Sequence, residues 1–302
     1  MPVLLFGQVR AGGSQVLALL LAAALFGGCS RAAFDGERAF ELLKRQCEFG
    51  PRPPGSAAHE RTLQWILETL RVSADRVALQ QFTVGSASGG VQLTNVIASF
   101  RPEAKERILL AAHWDTRPVA DRESDPVLAA RPIPGANDGA SGVAVLLELA
   151  ALLAEDPPRL GVDIVLFDGE DGGNGGGLTD WCVGSAYYAA HMGDYCPQLA
   201  VVVDMVGDKD LSILREQNSM NTFPSSVDRV WEAARTVGAA SFKETVGAAI
   251  FDDHVPLIRA GVPAVLVIDT QYPSWHTLAD TPDKCSSESL NEVGRVLTAL
   301  TH

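Results

Sequence analysis

Residues 107–115 read RILLAAHWD, a run of five apolar residues that ends in a histidine, a tryptophan and an aspartate. A second stretch, residues 162–171, reads VDIVLFDGED and ends in three acids, Asp168, Glu170 and Asp171. Short apolar runs of this kind, alternating with helical patterns, are typical of strands in a mostly parallel sheet. We therefore expect both stretches to be buried strands with polar residues at their carboxyl ends.

The same alternation of strands and helices extends along the chain. Further strands are predicted at residues 91–100, 199–205 and 264–268, and helices at residues 37–47, 58–72, 141–154, 183–191, 227–237, 253–260 and 287–301. This order predicts an α/β fold, a three-layer single domain with a mostly parallel, mixed central sheet and helices on both faces. Two long loops follow strands, at residues 116–137 and 172–180, and loops of that length are commonly functional.

The composition indicates a large folded core and argues against nucleic acid as a partner. Of the 302 residues 47% are hydrophobic, which is enough to bury a sizeable core. The 24 Lys and Arg residues are outnumbered by 37 Asp and Glu residues, so the net charge is −13. A protein with this excess of negative charge is poorly suited to binding by phosphate neutralisation.

Residues 1–28 have the features of a secretory leader. Arg10 is their only charged residue, and residues 16–26 form an apolar run of eleven. Eleven residues are too few to cross a bilayer core of about 30 Å as a helix, but they suit the apolar part of a signal peptide. A buried core helix is the alternative interpretation.

The small residues before Cys29 also resemble a bacterial lipobox, in which the cysteine is lipidated. We therefore expect an exported bacterial protein that is periplasmic, or anchored to the membrane through Cys29. Residues 29–35 would be a short tether, and residues 36–302 the folded domain.

Four further cysteines would then face an oxidising compartment, where disulfides form. They are Cys47, Cys182, Cys196 and Cys285. We favour Cys182 with Cys196, which bracket one short segment, and Cys47 with Cys285. Four isolated buried thiols are the alternative.

Acids and histidines collect where the predicted strands end. Ligands of an open α/β sheet bind outside the carboxyl ends of its strands, so this edge is where chemistry is expected. The residues at this edge are His113, Asp115, Asp138, Asp168, Glu170, Asp171, Asp204 and His276. Each has an ordinary structural explanation when taken alone; Asp138, for example, could be the N-cap of the following helix.

Several acids brought to one edge would repel each other unless a cation lay between them. Imidazole and carboxylate ligands without a thiolate favour zinc, although manganese or cobalt could substitute. Three protein ligands and an open position would make the site catalytic. A serine hydrolase is disfavoured, because the GASG around Ser141 is not a G-x-S-x-G motif.

Six motifs resemble those of the zinc aminopeptidase family of the bacterial leucyl aminopeptidase type, and within it they look most like glutaminyl-peptide cyclotransferases. The resemblance covers residues 36–302. The motifs are HWDTR at 113–117, GANDGASG at 135–142, FDGED at 167–171, DMVG at 204–207, DDH at 252–254 and WHT at 275–277.

The resemblance to the cyclotransferases implies one zinc ion, held by the residues that match Asp138, Asp171 and His276. It implies that Glu170 carries protons, while Asp204 and Asp252 hold the attacking amine. An acid at the position of Asp252 favours the cyclases, because the aminopeptidases usually have a small residue there.

Three residues are expected to form the substrate pocket, namely Trp275, Tyr272 and Ile268. Trp181 is a candidate for a further pocket aromatic beside the glycine-rich loop. Two features depart from the animal cyclases: Asp171 stands where they have a glutamate, and Ala112 and Val143 lie near the positions of their cysteine pair.

The implied reaction converts the N-terminal glutamine of peptides or proteins to pyroglutamate and releases ammonia, and we expect a monomer. The alternative is an aminopeptidase with two zinc ions, in which Asp138 bridges the metals and His113 and Asp204 complete the second site. A metal-free binding module is a third reading, disfavoured because all the ligands are present.

Overall fold

The structure, a computed structural model, describes residues 33–85, 90–173 and 180–302. The predicted leader, Cys29, the start of the tether and most of the glycine-rich loop lie outside the described residues. Across the described ranges, no helix combines the length and the apolar character needed to cross a bilayer.

Six strands form the central sheet, and the predicted mixed α/β fold is confirmed. The strands are β1 (Arg76–Val84), β2 (Val91–Phe100), β3 (Arg107–His113), β4 (Gly161–Phe167), β5 (Leu199–Asp204) and, after two strands outside this sheet, β8 (Ala264–Ile268). Their order is β1-β2-β4-β3-β5-β8. The last four in this order run parallel, whereas β2 pairs antiparallel with β4 and β1 pairs antiparallel with β2.

Three of the eight strands in the described part of the chain, β1 in the central sheet and two outside it, are not among the predicted ones. β1 lies at the edge of the sheet, and only Phe82 in it is buried, so it lacks a clear apolar pattern. A separate parallel pair consists of β6 (Ile213–Arg215) and β7 (Phe242–Val246). Both are short, and the only buried residue of β7 is Phe242.

Nine α-helices surround the sheet in the described part of the chain. They are α1 (Gly36–Glu48), α2 (Ala57–Ser73), α3 (Pro126–Ala129), α4 (Ala140–Glu155), α5 (Val183–His191), α6 (Gln217–Thr222), α7 (Pro224–Val237), α8 (His254–Arg259) and α9 (Ser287–Thr301). The seven predicted helices lie within three residues of these bounds. The two short helices α3 and α6 are not predicted, and the 3₁₀ helix Pro282–Lys284 completes the described elements.

Side-chain alternation along the strands divides the core into two layers. In β3, Ile108 and Leu110 pack into a core with α1, α2, α4, α7 and α9. Leu109 and Ala111 face the opposite side, where the core includes Tyr188 of α5 and Leu257 of α8. Because successive side chains of a strand point to opposite faces, the apolar run 108–112 of β3 contributes to both layers.

Helix α4 lies directly against the sheet because Gly142 has no side chain. A Cβ added at Gly142 would lie 2.5 Å from the carbonyl oxygen of Val203 in β5 and 2.9 Å from the Cβ of Ala112 in β3. The start of α4 therefore sits over the carboxyl ends of these two strands.

The favoured disulfides are wrong, and so is the alternative of four buried thiols. All four described cysteines are free; Cys182 and Cys285 are buried, but Cys196 is exposed.

The close approach at Gly142 predicts that Gly142→Ala destabilises the fold. The clash with backbone outweighs the preference of alanine for helices, about 1 kcal/mol, so we expect urea unfolding to show a net loss of about 1–2 kcal/mol. In Gly172→Ala the added Cβ meets nothing within 4 Å, and the change should stay within about 0.5 kcal/mol. Equal stability of the two variants would contradict the packing argument.

Candidate metal centre

The structure brings the predicted polar residues together at one edge of the sheet. His113 ends β3, Asp204 ends β5, and Glu170 and Asp171 follow β4. Asp138 comes just before α4. Because β3, β4 and β5 are parallel, their carboxyl ends meet at the same edge.

Asp138, Asp171 and His276 form a cluster with the spacing of metal ligands. One ligand atom from each residue lies within 4.8 Å of the other two, and all three residues are buried. His276 Nε2 is 3.6 Å from Asp138 Oδ2 and 3.7 Å from Asp171 Oδ1. These separations are longer than hydrogen bonds and close to those of ligands around a zinc ion at about 2.0–2.2 Å.

A second cluster shares Asp138 and adds His113 and Asp204. His113 Nε2 lies 3.1 Å from Asp204 Oδ1, with which it is hydrogen-bonded, and 3.2 Å from Asp138 Oδ1. The two clusters therefore meet at Asp138. In the second one the contacts have the lengths of hydrogen bonds.

The electrostatics of the first cluster fit a divalent cation. Burial raises the pKa of Asp171 well above its usual value, and the neighbouring Asp138 raises it further. Asp171 Oδ2 is buried and has no hydrogen-bond partner among the described residues. A buried, unpaired carboxylate oxygen is costly, and a cation bound between Asp138 and Asp171 would remove both the repulsion and the missing contact.

Asp138 does not cap α4, so that structural explanation is wrong. The N-cap of α4 is Gly139, and no side chain caps this helix. The backbone before the helix is instead held by Asp280, whose carboxylate accepts hydrogen bonds from the backbone N–H groups of Asn137, at 2.8 Å, and Asp138, at 3.1 Å. The Asp138 side chain is thereby left to face the two histidines.

Asp115 holds the other ligand-bearing segment in the same way. Its two carboxylate oxygens accept hydrogen bonds from the backbone N–H groups of Glu170, at 3.1 Å, and Asp171, at 3.2 Å. Asp115 Oδ1 also lies 3.6 Å from Nδ1 of His113. One fully buried carboxylate thus connects the ends of β3 and β4.

Arg117 and Asp121 connect two of the three candidate ligands, a feature that the sequence reasoning missed. Arg117 Nη1 donates to Asp171 Oδ1 at 3.0 Å, while its Nε and Nη2 donate to the two oxygens of Asp121 at 2.9 and 2.8 Å. Asp121 Oδ1 lies 3.0 Å from Nδ1 of His276. A proton on that nitrogen leaves Nε2 free to bind a metal.

A cavity of about 630 Å³ opens onto the cluster. Glu170, Asp204 and Asp252 line it, as do Ile268 and Trp275. Burial raises the pKa of Glu170 well above its usual value, and burial raises the pKa of Asp252 to about 7. Acids with such shifted pKa values in a cleft are typical of catalytic sites.

Tyr272 does not form a second aromatic wall, so this prediction is wrong. It is not among the described residues that line the cavity, and its hydroxyl donates to Asp280 Oδ1 at 2.7 Å. A buried hydroxyl needs a hydrogen-bond partner. The partner here is Asp280, the carboxylate that also holds the backbone before α4. Trp181 does line the cavity, where its ring lies 4.4 Å from the guanidinium of Arg117.

Comparison with known proteins places these features in a family context. The family model described as Peptidase family M28 matches residues 95–301. The crystal structure of Bacteroides thetaiotaomicron glutaminyl cyclase is 34% identical, with a TM-score of 0.86 over 89% of this chain and 98% of that chain. A Zn-dependent exopeptidase from Parabacteroides distasonis is 32% identical, with a TM-score of 0.85 over 90% and 99% of the two chains. The Glutaminyl-peptide cyclotransferase of Bos taurus is 25% identical over an alignment of 281 residues, which covers 82% of this chain and 76% of that protein.

The contacts of Arg117 predict that it strengthens metal binding. In Arg117→Met, Asp171 and Asp121 lose their shared donor, and loss of such a supporting contact typically weakens metal affinity about 10–100-fold. Competition with a chelator measures the affinity. Arg45→Met is a matched control, because Arg45 also pairs with a carboxylate, that of Glu48, and also stacks on an aromatic ring, that of Phe49. If both variants bound metal as tightly as the unmodified protein, Arg117 would have no such role.

Proposed function

The chain belongs to peptidase family M28, and from that premise we propose that it is a zinc-dependent glutaminyl-peptide cyclotransferase. Such an enzyme converts the N-terminal glutamine of a peptide or protein to pyroglutamate and releases ammonia. The similarity to the Bacteroides thetaiotaomicron glutaminyl cyclase, over nearly all of both chains, supports this activity. The observation that carries the proposal is that Glu170 and Asp252 line one cavity with the cluster of Asp138, Asp171 and His276.

One zinc ion per chain would be held by Asp138, Asp171 and His276. When bound, zinc acts as a Lewis acid that polarises the side-chain carbonyl of the substrate glutamine and stabilises negative charge on its oxygen. The buried Asp171 Oδ2, which has no hydrogen-bond partner within the part of the chain that the structure describes, supports this ligand set. Asp171 is shorter than glutamate by one methylene, and its backbone N–H is fixed by Asp115.

Glu170 moves the proton in this proposal. The α-amine of the glutamine attacks its own side-chain amide carbon, so that a new N–C bond forms and the bond to the amide nitrogen breaks. Glu170 accepts the proton that the attacking nitrogen loses and donates it to the departing ammonia. A pKa raised by burial suits a group that must both accept and release a proton near neutral pH.

Asp204 and Asp252 would hold the attacking amine. Both line the cavity, and burial raises the pKa of each. Three neighbouring acids do not all ionise readily, so one of them carries a proton while the others accept hydrogen bonds from the amine. Holding the amine against the amide in this way contributes much of the acceleration of an intramolecular reaction.

Trp275 and Ile268 would form the apolar wall for the methylene groups of the glutamine. Ile268 ends β8 and is buried, whereas Trp275 is 37% exposed. The guanidinium of Arg122 lies 4.4 Å from the ring of Trp275 and supports its outer face. Stacking of this kind holds an exposed ring in place.

A two-metal aminopeptidase is the second candidate function. It is favoured by the second cluster, in which His113 and Asp204 approach the shared Asp138. The similarity to the exopeptidase of Parabacteroides distasonis also fits it. If this chain were such an aminopeptidase, Glu170 would activate water for hydrolysis of a peptide bond.

We also propose where the protein is located and in what oligomeric state it acts. Residues 1–28 would direct export, and the protein would be periplasmic or held at a membrane by a lipidated Cys29. Residues 36–302 would act as a monomer on peptides with a free N-terminal glutamine. The composition of residues 1–28 supports the export step.

Cyclisation and hydrolysis give different products, and the proposed cyclisation also depends on Asp252. We expect the purified protein to release ammonia from a Gln-peptide whose peptide bonds stay intact, and no free leucine from a Leu-peptide. Asp252→Asn should lower kcat for cyclisation about 100-fold or more, because it removes an acid that holds the amine. Zinc content should not change, since Asp252 is not one of the proposed ligands.

Asp194→Asn is the control, because Asp194 is an exposed aspartate. It should leave both ammonia release and zinc content unchanged. Free leucine without ammonia would contradict the cyclotransferase and support the aminopeptidase.

A further inference from the structure

A buried thiol contacts the proposed proton carrier. Cys182 Sγ donates to Glu170 Oε1 at 3.3 Å, and Cys182 is fully buried. Among the described residues, no other side chain is hydrogen-bonded to the carboxyl group of Glu170. The reaction proposed above does not use this cysteine.

The backbone also joins Cys182 to Glu170. The backbone N–H of Cys182 donates to the carbonyl oxygen of Glu170 at 2.9 Å. The next N–H, of Val183, donates to the carbonyl oxygen of Gly169 at 3.2 Å. Cys182 therefore contacts Glu170 at two points, one in the backbone and one in the side chain. This arrangement fixes both where Glu170 lies and how its carboxyl group is turned.

The conformation of Cys182 is unusual and is held by its neighbours. Its φ of 53° lies in the left-handed region, which residues other than glycine seldom adopt. Its carbonyl oxygen accepts hydrogen bonds from the hydroxyl of Ser185 and from the N–H of Ala186, each at 3.0 Å. The start of α5 thus holds the thiol against Glu170.

The thiol acts as the donor in this contact. Burial raises the pKa of Cys182 well above its usual value, and the neighbouring Glu170 raises it further, so the group stays protonated. A thiol is a weak donor compared with a hydroxyl. It can therefore orient a carboxylate while stabilising its charge only slightly, which leaves the carboxylate able to accept a proton.

We propose that Cys182 is a positioning residue for Glu170: its thiol holds Oε1 and leaves Oε2 for the reacting nitrogen. This inference rests on the proposed function, in which Glu170 carries the proton. It assigns a task within the reaction to a residue outside the proposed metal ligands and the proposed substrate pocket.

Three substitutions separate positioning from packing. Cys182→Ala removes the donor and the volume, Cys182→Val removes the donor but fills the space, and Cys182→Ser keeps a donor. We expect Cys182→Ala and Cys182→Val to lower kcat for a Gln-peptide about 3–10-fold, which corresponds to one lost hydrogen bond. KM and zinc content should stay within twofold of those of the unmodified protein, and Cys182→Ser should recover most of kcat.

Cys196→Ala is the control, because Cys196 is an exposed free thiol; it should leave kcat unchanged. Full kcat in Cys182→Ala, or equal losses in Cys182→Ser and Cys182→Ala, would overturn the inference. If Cys182→Ala does not fold, full kcat in Cys182→Val or a loss of about 3–10-fold in Cys182→Ser would overturn it, because serine is unbranched at Cβ and suits the left-handed φ better than valine. Failure of the unmodified protein to release ammonia would instead overturn the proposed function, and this inference with it.

Discussion

The burial of like charges at one edge of the sheet is the constraint on which the site depends. Asp138 and Asp171 lie side by side in a buried cluster, and Asp204 approaches Asp138 from the other side through His113. Burial weakens the screening of these charges by water, so ionising all of these acids is costly unless positive charge matches them. A cation between Asp138, Asp171 and His276 satisfies this need and leaves Glu170 free for chemistry.

The surrounding network keeps these acids in place by using further carboxylates on the backbone. Asp280 holds the N–H groups before α4, and Asp115 holds those after β4. Arg117 then supplies a positive charge to Asp171 from the outer side. Because a ligand that is held by a second contact loses little freedom on binding, this network prepares the site for its metal.

The sequence predicts five of the strands, β2, β3, β4, β5 and β8, and the polar residues that follow them, because both signals are local. An apolar run followed by acids, as in β4, needs only a few consecutive residues to be recognised. The roles of Asp280 and Arg117 depend on contacts between segments that are far apart in the chain; Asp280 and Asn137, for example, are 143 residues apart. Tyr272 was misplaced for a similar reason, since its aromatic ring suggested a pocket wall while its hydroxyl is committed to Asp280.

Anomalous diffraction at the zinc edge, from crystals of the purified protein, tests the central claim most directly. The account predicts one zinc peak per chain, about 2.0–2.2 Å from a carboxylate oxygen of Asp138, one of Asp171 and Nε2 of His276. A second peak of equal height between His113 and Asp204, or a peak bound by other residues, would contradict it.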